Sequence, residues 1–521
     1  MVVRVLTPEY LDMAPDVIVE LYSQLDETII RDIVRRLVKT GGVTPTAAWQ
    51  ADRLQDSGLL YDDIIRKVSN MTDASTAQVK ALFEDAGIEA LKYDSAIYKA
   101  AGLVPLPLAQ SPAAAQVLLA GLQKTAGYLK NLSLTTAATT QTAYINAVTL
   151  AEMQAESGAF DYITAIRNAV KNAAQVGTTV LYPTGHMDKL DVAVRRATLT
   201  GISQTAAQIS VRYADDMGCD LVETTAHPGA RPSHAVWQGR VFSRSGNGGK
   251  KYPDFVTVTG YGSGDGLCGW NCRHSFFPYF EGLSASAYPR AKLAEYKNKT
   301  VAYNDQKVSY YDATQMQRQM ERQIRATKRE LAGYDEGIKS TDNEAMAAAL
   351  REDFNSASVK LRAQKNKMEY FLGQTGLDRQ AEREQVLGFG RSAAQKAVQA
   401  NKKVAVQRQN AIIETEIKKA TGIRGMLSIT PQKINISALS FDNVHINQES
   451  RHGVTEQEAR SYITNAKATL TRWNGKYVNY YAEMGAAYVD TETNTIRTAF
   501  KSDQFDPMTK FLIEELKKHG K

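Results

Sequence analysis

Residues 7–39, TPEYLDMAPDVIVELYSQLDETIIRDIVRRLVK, decide how the chain is read. Ile18, Leu21, Tyr22, Leu25, Ile29, Ile33 and Leu37 recur at spacings of three and four, which places them in one stripe of an amphipathic helix. Gly41-Gly42 closes it. The same pattern returns over 44–56, 60–68, 77–94, 112–132, 140–155 and 160–175, mostly with Thr, Ser or Asp near the start and often with Gly at the end. The first 175 residues are therefore expected to be all-α. TTVLY at 178–182 is β-branched and aromatic and runs into the turn PTGH, so a short strand or hairpin interrupts the helices. A longer helix is expected over 188–217.

The 521 residues are enough for two to four domains, and 43% apolar with 23% charged residues is an ordinary globular composition. Collagen-like, wholly disordered and disulfide-scaffold chains are excluded on that ground. The 63 Lys and Arg against 56 Asp and Glu leave +7, which suits an acidic partner without requiring one. Three cysteines, Cys219, Cys268 and Cys272, fit a reducing compartment better than a bridged, secreted fold. MVVRVLTPEYLD has no apolar core of a signal peptide, and runs such as VLLAGL are far short of a membrane span, so neither export nor a membrane segment is expected.

Between Gly218 and Gly282 the texture changes to GARPS, SGNGGKKYPD and GYGSGDGLCGWN, the mark of a compact, loop-built unit in which Trp237 and Trp270 are expected as core anchors. From about 286 to 409 the chain is charged and helical again. Leu350, Phe354, Ala357, Leu361, Met368 and Leu372 form a heptad-like seam, and Met316, Met320 and Leu331 lie on a preceding helix. GYDEGIKSTDN, 333–343, reads as the turn of an αα-hairpin. In the last hundred residues Thr455 and Glu458 make a capping box. ATLTRW, YVNYYAE, GAAYVD and NTIRTAF then read as an antiparallel meander, with Asn474-Gly475 as its first hairpin turn, and Asp506-Pro507 starts a helix ending at Gly520. The expected fold class is a multidomain, mainly α protein with a loop-rich α+β central unit and a small C-terminal α+β domain. Its boundaries are 1–217 (helical body), 218–285 (Gly/Pro-rich core), 286–425 (charged helical arm) and 426–521 (helix plus antiparallel meander).

TTAHPGARPSHAVWQGRVF and KYPDFVTVTGYGSGDGLCGWNCRHSFFPYF, within 224–280, together with the upstream YPTGHMDKLDVAVRRA and MGCDLVETTAHPGARPSH, resemble the phage minor capsid protein 2 family, relatives of the Mu F-like minor head proteins. The likeness covers most of residues 1 to about 300. It implies a low-copy head protein associated with the portal, with portal and major capsid proteins as partners, a place in the virion and assembly in the host cytoplasm. It implies no catalysis in this part.

His227, His234, Cys268, Cys272 and His274 are zinc-type ligands within about 50 residues. Cys-x3-Cys-x-His is no standard knuckle, however, and in an extended segment alternate residues near Cys272 and His274 are expected to point apart. The expectation is buried packing thiols, histidines bonded to loop backbone, and no bound zinc or other cofactor. Arg231, Arg240 and Arg273 are expected to satisfy carbonyls or carboxylates rather than phosphate.

VHINQESRHGVTEQEARSYITNAKATLTRWNGKYVNYYAEMGAAYVDTETNTIRTAF is similar to the nuclease-like domains fused to phage head proteins, in the group uniting barnase, EndoU, colicin and RelE-type RNases. Metal-independent RNA cleavage needs a base, an acid and cations on the phosphorane. His445 and His452 are the acid and base candidates, Arg451 and Arg497 the phosphate clamps, Thr498 and Tyr481 the hydroxyl donors. Strand alternation separates Arg497 from Thr498 unless a bulge intervenes. The resemblance makes host RNA a further partner and an endoribonuclease toxin the enzymatic reading. The alternative is a purely structural head protein with an inactive tail domain. An ADP-ribosyltransferase would need Glu-x-Glu on a loop, whereas Glu414-Thr-Glu416 lies in a helical stretch.

Overall fold

A computed structural model describes residues 6–39, 47–156, 161–386 and 388–520. The chain forms two compact units, Met1–Val398 and Gln399–Lys521. The Gly41-Gly42 stop and the helix starts expected at 44 and 160 lie outside the described residues.

In the first unit the expected opening helix is two, α1 (Pro8–Met13) and α2 (Asp16–Val38), broken at Pro15. Thr7 caps α1 by accepting the Tyr10 N–H. The stripe of α2 is as read, with Leu21 only half-buried. The next helices are longer than the sequence punctuation suggests: α3 (Ala47–Ala100) runs through three expected segments and α4 (Pro112–Glu156) through two. A single Gly or Ser in a helix costs about 1 kcal/mol or less, too little to end one that is packed along its length. α5 (Tyr162–Val176) follows, then the hairpin of β1 (Thr179–Leu181) and β2 (Met187–Lys189), then α6 (Leu190–Asp216).

The close approach of α4 and α6 is built from a reciprocal pair. A Cβ at Gly121 would collide with Thr205, and one at Gly201 with Thr125. Each helix thus carries a glycine and, four residues on, a threonine that fills the other helix's gap.

The central segment is a small antiparallel sheet, order β4-β3-β5, of β3 (Leu221–Thr224), β4 (Val241–Ser243) and β5 (Phe276–Pro278), with the short helices α7 (Pro232–Ala235) and α8 (Phe255–Thr259) in its loops. Trp237 anchors it, 3% exposed. Trp270 does not, being 60% exposed: its ring lies across Gly264, which has no side chain to enclose it, and it is held through its backbone, the N–H donating to the Gly264 carbonyl at 2.6 Å and the carbonyl accepting from Arg231 at 2.7 Å.

α9 (Arg290–Asn298) and an unforeseen hairpin, β6 (Thr300–Tyr303) with β7 (Gln306–Ser309), lead into α10 (Tyr310–Ser340) and α11 (Glu344–Thr375). The turn between these antiparallel helices is shorter than 333–343. Gly333 and Gly337 lie inside α10, where added side-chain carbons would press on Ala174 of α5 and on Leu350 of α11. Phe371, not Leu372, completes the α11 seam. The charges of α10 are not a solvated face. Arg329, 7% exposed, reaches Asp26 of α2 at 2.8 Å and Asp191 of α6 at 3.8 Å. Asp26 also accepts the N–H and hydroxyl of Thr178 at 2.7 and 2.6 Å. Arg167 forks onto Asp353 with two bonds of 2.8 Å. This ion pairing packs the helices expected as an arm into the first unit, and the division between units falls within α12 (Arg391–Thr421).

The second unit is a six-stranded sheet, order β8-β10-β11-β12-β13-β9: β8 (Met426–Ser428), β9 (Ser440–Phe441), β10 (Ala468–Arg472), β11 (Tyr477–Ala482), β12 (Gly485–Asp490) and β13 (Thr495–Lys501). β10 to β13 are the expected meander, to which β8 and β9 add an edge each. α13 (Glu456–Thr464), with its capping box formed, covers one face with Ala459, Tyr462 and Ile463. The end of α12 and α14 (Pro507–Lys518) cover the other with Ile413, Ile417, Leu512 and Leu516.

Gly121→Ala and Gly201→Ala are each expected to destabilise the chain by about 1–3 kcal/mol through overpacking. Gly127→Ala, on α4 with open space where the methyl would go, should stabilise by up to about 1 kcal/mol on helix propensity alone. Opposite signs in calorimetry are the expected result, and a shared sign would remove the packing explanation.

Candidate functional site

In the second unit the decisive detail is a register shift. Tyr488 pairs with Thr498 while the adjacent Val489 pairs with Ile496, so Arg497 is the extra residue of a β-bulge. Ile496 and Ala499, three apart, consequently both enter the core under α13. Thr498, opposite Tyr488, lies with Phe500 on the other face. Strict alternation therefore does not hold across Arg497 and Thr498.

On that face a line of rings joins two of the expected residues. His452 lies 5.7 Å from Phe500, Phe500 5.3 Å from Tyr488, and Tyr488 6.0 Å from Tyr481, centre to centre. Tyr481 is 2% exposed, and its hydroxyl accepts from Asn479 at 3.3 Å. Burial holds the Tyr488 hydroxyl well above its ordinary pKa, so it stays a neutral donor.

A second group forms at the bulge. Arg497 donates to Asp442 Oδ2 at 2.7 Å, and Asp442 Oδ1 accepts the His445 N–H at 3.0 Å. His445 stands in a wide π-helical turn, Val444–Glu449, with Nδ1 2.9 Å from Glu449. Arg451 is exposed at φ +54°, and the next residue, His452, returns its N–H to the Ile446 carbonyl. Five of the six expected residues therefore fall into two groups, with Arg451 outside both. Asp442, Asn479, Tyr488 and Glu449 were missed. Tyr488 alone had a signal, its place opposite the Arg497-Thr498 pair in the meander. Glu414-Thr-Glu416 is helical as expected, with Glu414 accepting the Ile429 N–H at 2.9 Å.

The first unit holds the Cys/His residues. Cys272 and His274 do not point apart, since the Cys272 sulfur meets the His274 ring. Cys272 Sγ lies 3.7 Å from Nδ1 of both His234 and His274. Cys268 Sγ turns instead to the His274 carbonyl at 3.6 Å, and His227 stacks on His274 at 4.5 Å. Burial, reinforced by the neighbouring imidazoles, pushes His274 well below its ordinary pKa, and burial raises the Cys272 thiol.

These residues line a cavity of about 380 Å³ with seven arginines and three acids, Asp12, Asp191 and Glu321. Asp12 alone serves Arg273 at 3.0 Å, Arg318 at 3.4 Å and Arg383. As expected, Arg231 and Arg240 meet carbonyls and Arg273 a carboxylate.

Similarity to known proteins gives the class, a phage structural protein. The family model for phage minor capsid protein 2 matches residues 6–373, and the chain belongs to that family. A "Structural protein" of Lactococcus phage LL-H is 26% identical over 201 residues, 38% of this chain and 50% of that protein. The chain thus spans about half the length of the curated relative it matches. No solved structure matches the chain. The protein is a minor capsid component of the phage virion. No described helix is long and apolar enough to cross a membrane.

Tyr481→Ala should cost the second unit about 3–5 kcal/mol, as loss of a buried aromatic ring does. Arg497→Ala should cost no more than about 1 kcal/mol, because the Arg497 side chain is 51% exposed. Denaturant unfolding followed in the second unit checks both, and equal losses would make the Arg497–Asp442 pair a structural strut.

Proposed function

We propose that this minor capsid protein is a portal-associated head protein whose second unit is a metal-independent endoribonuclease delivered to the host with the virion. The bulge at Arg497 carries the reading. It releases Arg497 and Thr498 from strict alternation on the strand whose Phe500 meets His452, which supports a phosphate clamp and a proton carrier on neighbouring ground. Asp442 aims Arg497, and Glu449 aims the His445 ring. His452 and His445 exchange the protons of the 2′-hydroxyl and the leaving oxygen. Arg497 and Arg451 hold the phosphate, and Thr498 and Tyr481 supply hydroxyl donors. A purely structural tail is the second reading, favoured by Arg497 and His445 each having an acidic partner already.

Cleavage of RNA by the full chain in EDTA is the expected result. His452→Ala or His445→Ala should slow it by roughly 10²- to 10⁴-fold. Arg497→Lys, which keeps the charge and loses the planar fork, should retain part of the activity. A fragment used for the assay has to begin near Gln399, because Ile413, Ile417 and Leu427 belong to the core of this unit. RNA bound but never cut between about pH 5 and 8, the range over which histidine changes charge, leaves the structural reading. A truncation after Gln409, which retains the first unit, should still enter procapsids. Loss of it there, with the isolated tail incorporated, would reverse the roles of the two units.

A further inference from the structure

We infer that His234, Cys272 and His274 of the first unit bind a zinc ion, independently of any activity in the second. The case rests on counting protons. His234 Nε2 lies 2.8 Å from the Asp265 carbonyl, which only accepts, so Nε2 carries the proton and Nδ1 a lone pair. His274 Nε2 lies 3.1 Å from Gln238 Oε1, and that oxygen also accepts the backbone N–H of His227 at 3.1 Å, which fixes the amide orientation. His274 Nδ1 is therefore a lone pair as well. Both lone pairs face Cys272 Sγ at 3.7 Å. One thiol proton satisfies only one of them, and the other is a buried acceptor left without a donor, which is costly. A cation between the three resolves the conflict, with the thiol ionised.

The spacing suits it. Zinc bonds of about 2.3 Å to sulfur and 2.0–2.1 Å to nitrogen give a tetrahedral S···N edge of roughly 3.5 Å, and the three ligand atoms lie within 4.8 Å of one another. The surroundings are those of ligands held in place: both histidines donate their far N–H to oxygen, the outer partner typical of metal-bound imidazole. Cys272 Sγ accepts the His274 N–H at 3.4 Å, and Trp237 packs on both rings at 4.7 and 4.9 Å. Two imidazoles and a thiolate select zinc over the hard cations. The fourth position opens onto the arginine-lined cavity, where water or a small anion completes it. On the same wall His227 gives Nδ1–H to the Pro228 carbonyl at 2.9 Å and leaves Nε2 buried and unpartnered.

The full chain purified without added chelator should carry about one zinc per molecule by elemental analysis, the stoichiometry of one closed ligand set. Cys272→Ser should abolish it. Cys268→Ser should retain it, since that sulfur faces the His274 carbonyl, and metal lost from this variant alone would overturn the ligand assignment. Wild-type protein stripped by a chelator and titrated with cobalt(II) should develop the intense absorption of a tetrahedral thiolate site, which decides the matter without any variant. A chain that purifies without metal and takes up neither zinc nor cobalt refutes the site.

Discussion

Arg329 is the buried charge on which the first unit turns. Its guanidinium sits between Asp26 of α2 and Asp191 of α6, and Asp26 in turn holds Thr178 at the entry to β1. An unpaired charge there has no water to retreat to. Four segments far apart in the chain, α10, α2, α6 and the stretch leading into β1, therefore meet at one charge. Burial raises the pKa of Asp191, and Arg325 and Arg329 outweigh it, so the carboxyl stays below the usual range and ionised. The cluster also explains why a strongly charged helix lies inside a fold.

Local periodicity revealed the elements far better than their limits. The α2 stripe, the Thr455 capping box and the Asn474-Gly475 hairpin were legible because each depends on residues a few positions apart. Helix lengths were not, since α3 and α4 persist through weak breaks on the strength of packing with distant helices. The burial of α10 was hidden for the same reason: a charge run looks solvated until its partners, more than a hundred residues away, are known.

The two candidate sites differ in how they escaped local reading. In the second unit the residues were named from the sequence and their geometry was left open, because one extra residue in β13 breaks the alternation between Arg497 and Thr498. In the first, the irregular Cys-x3-Cys-x-His spacing argued against a ligand set. The fold bypasses that spacing by dropping Cys268 and recruiting His234 from α7, across a loop of more than thirty residues. Ligand spacing in sequence is informative only where the ligands share one turn.

The glycine–threonine exchange between α4 and α6 works as a vernier. Each helix offers a gap and a peg four residues apart, and they mesh because the helices run in opposite directions. Sliding one helix by a turn, about 5.4 Å, would set Thr125 against Thr205 in one direction and Gly121 against Gly201 in the other. The contact therefore measures alignment as well as holding it. Positions 121 and 205 share a single volume, as do 125 and 201, so each pair acts as one unit of packing: a larger residue at the first leaves room only for a smaller one at the second.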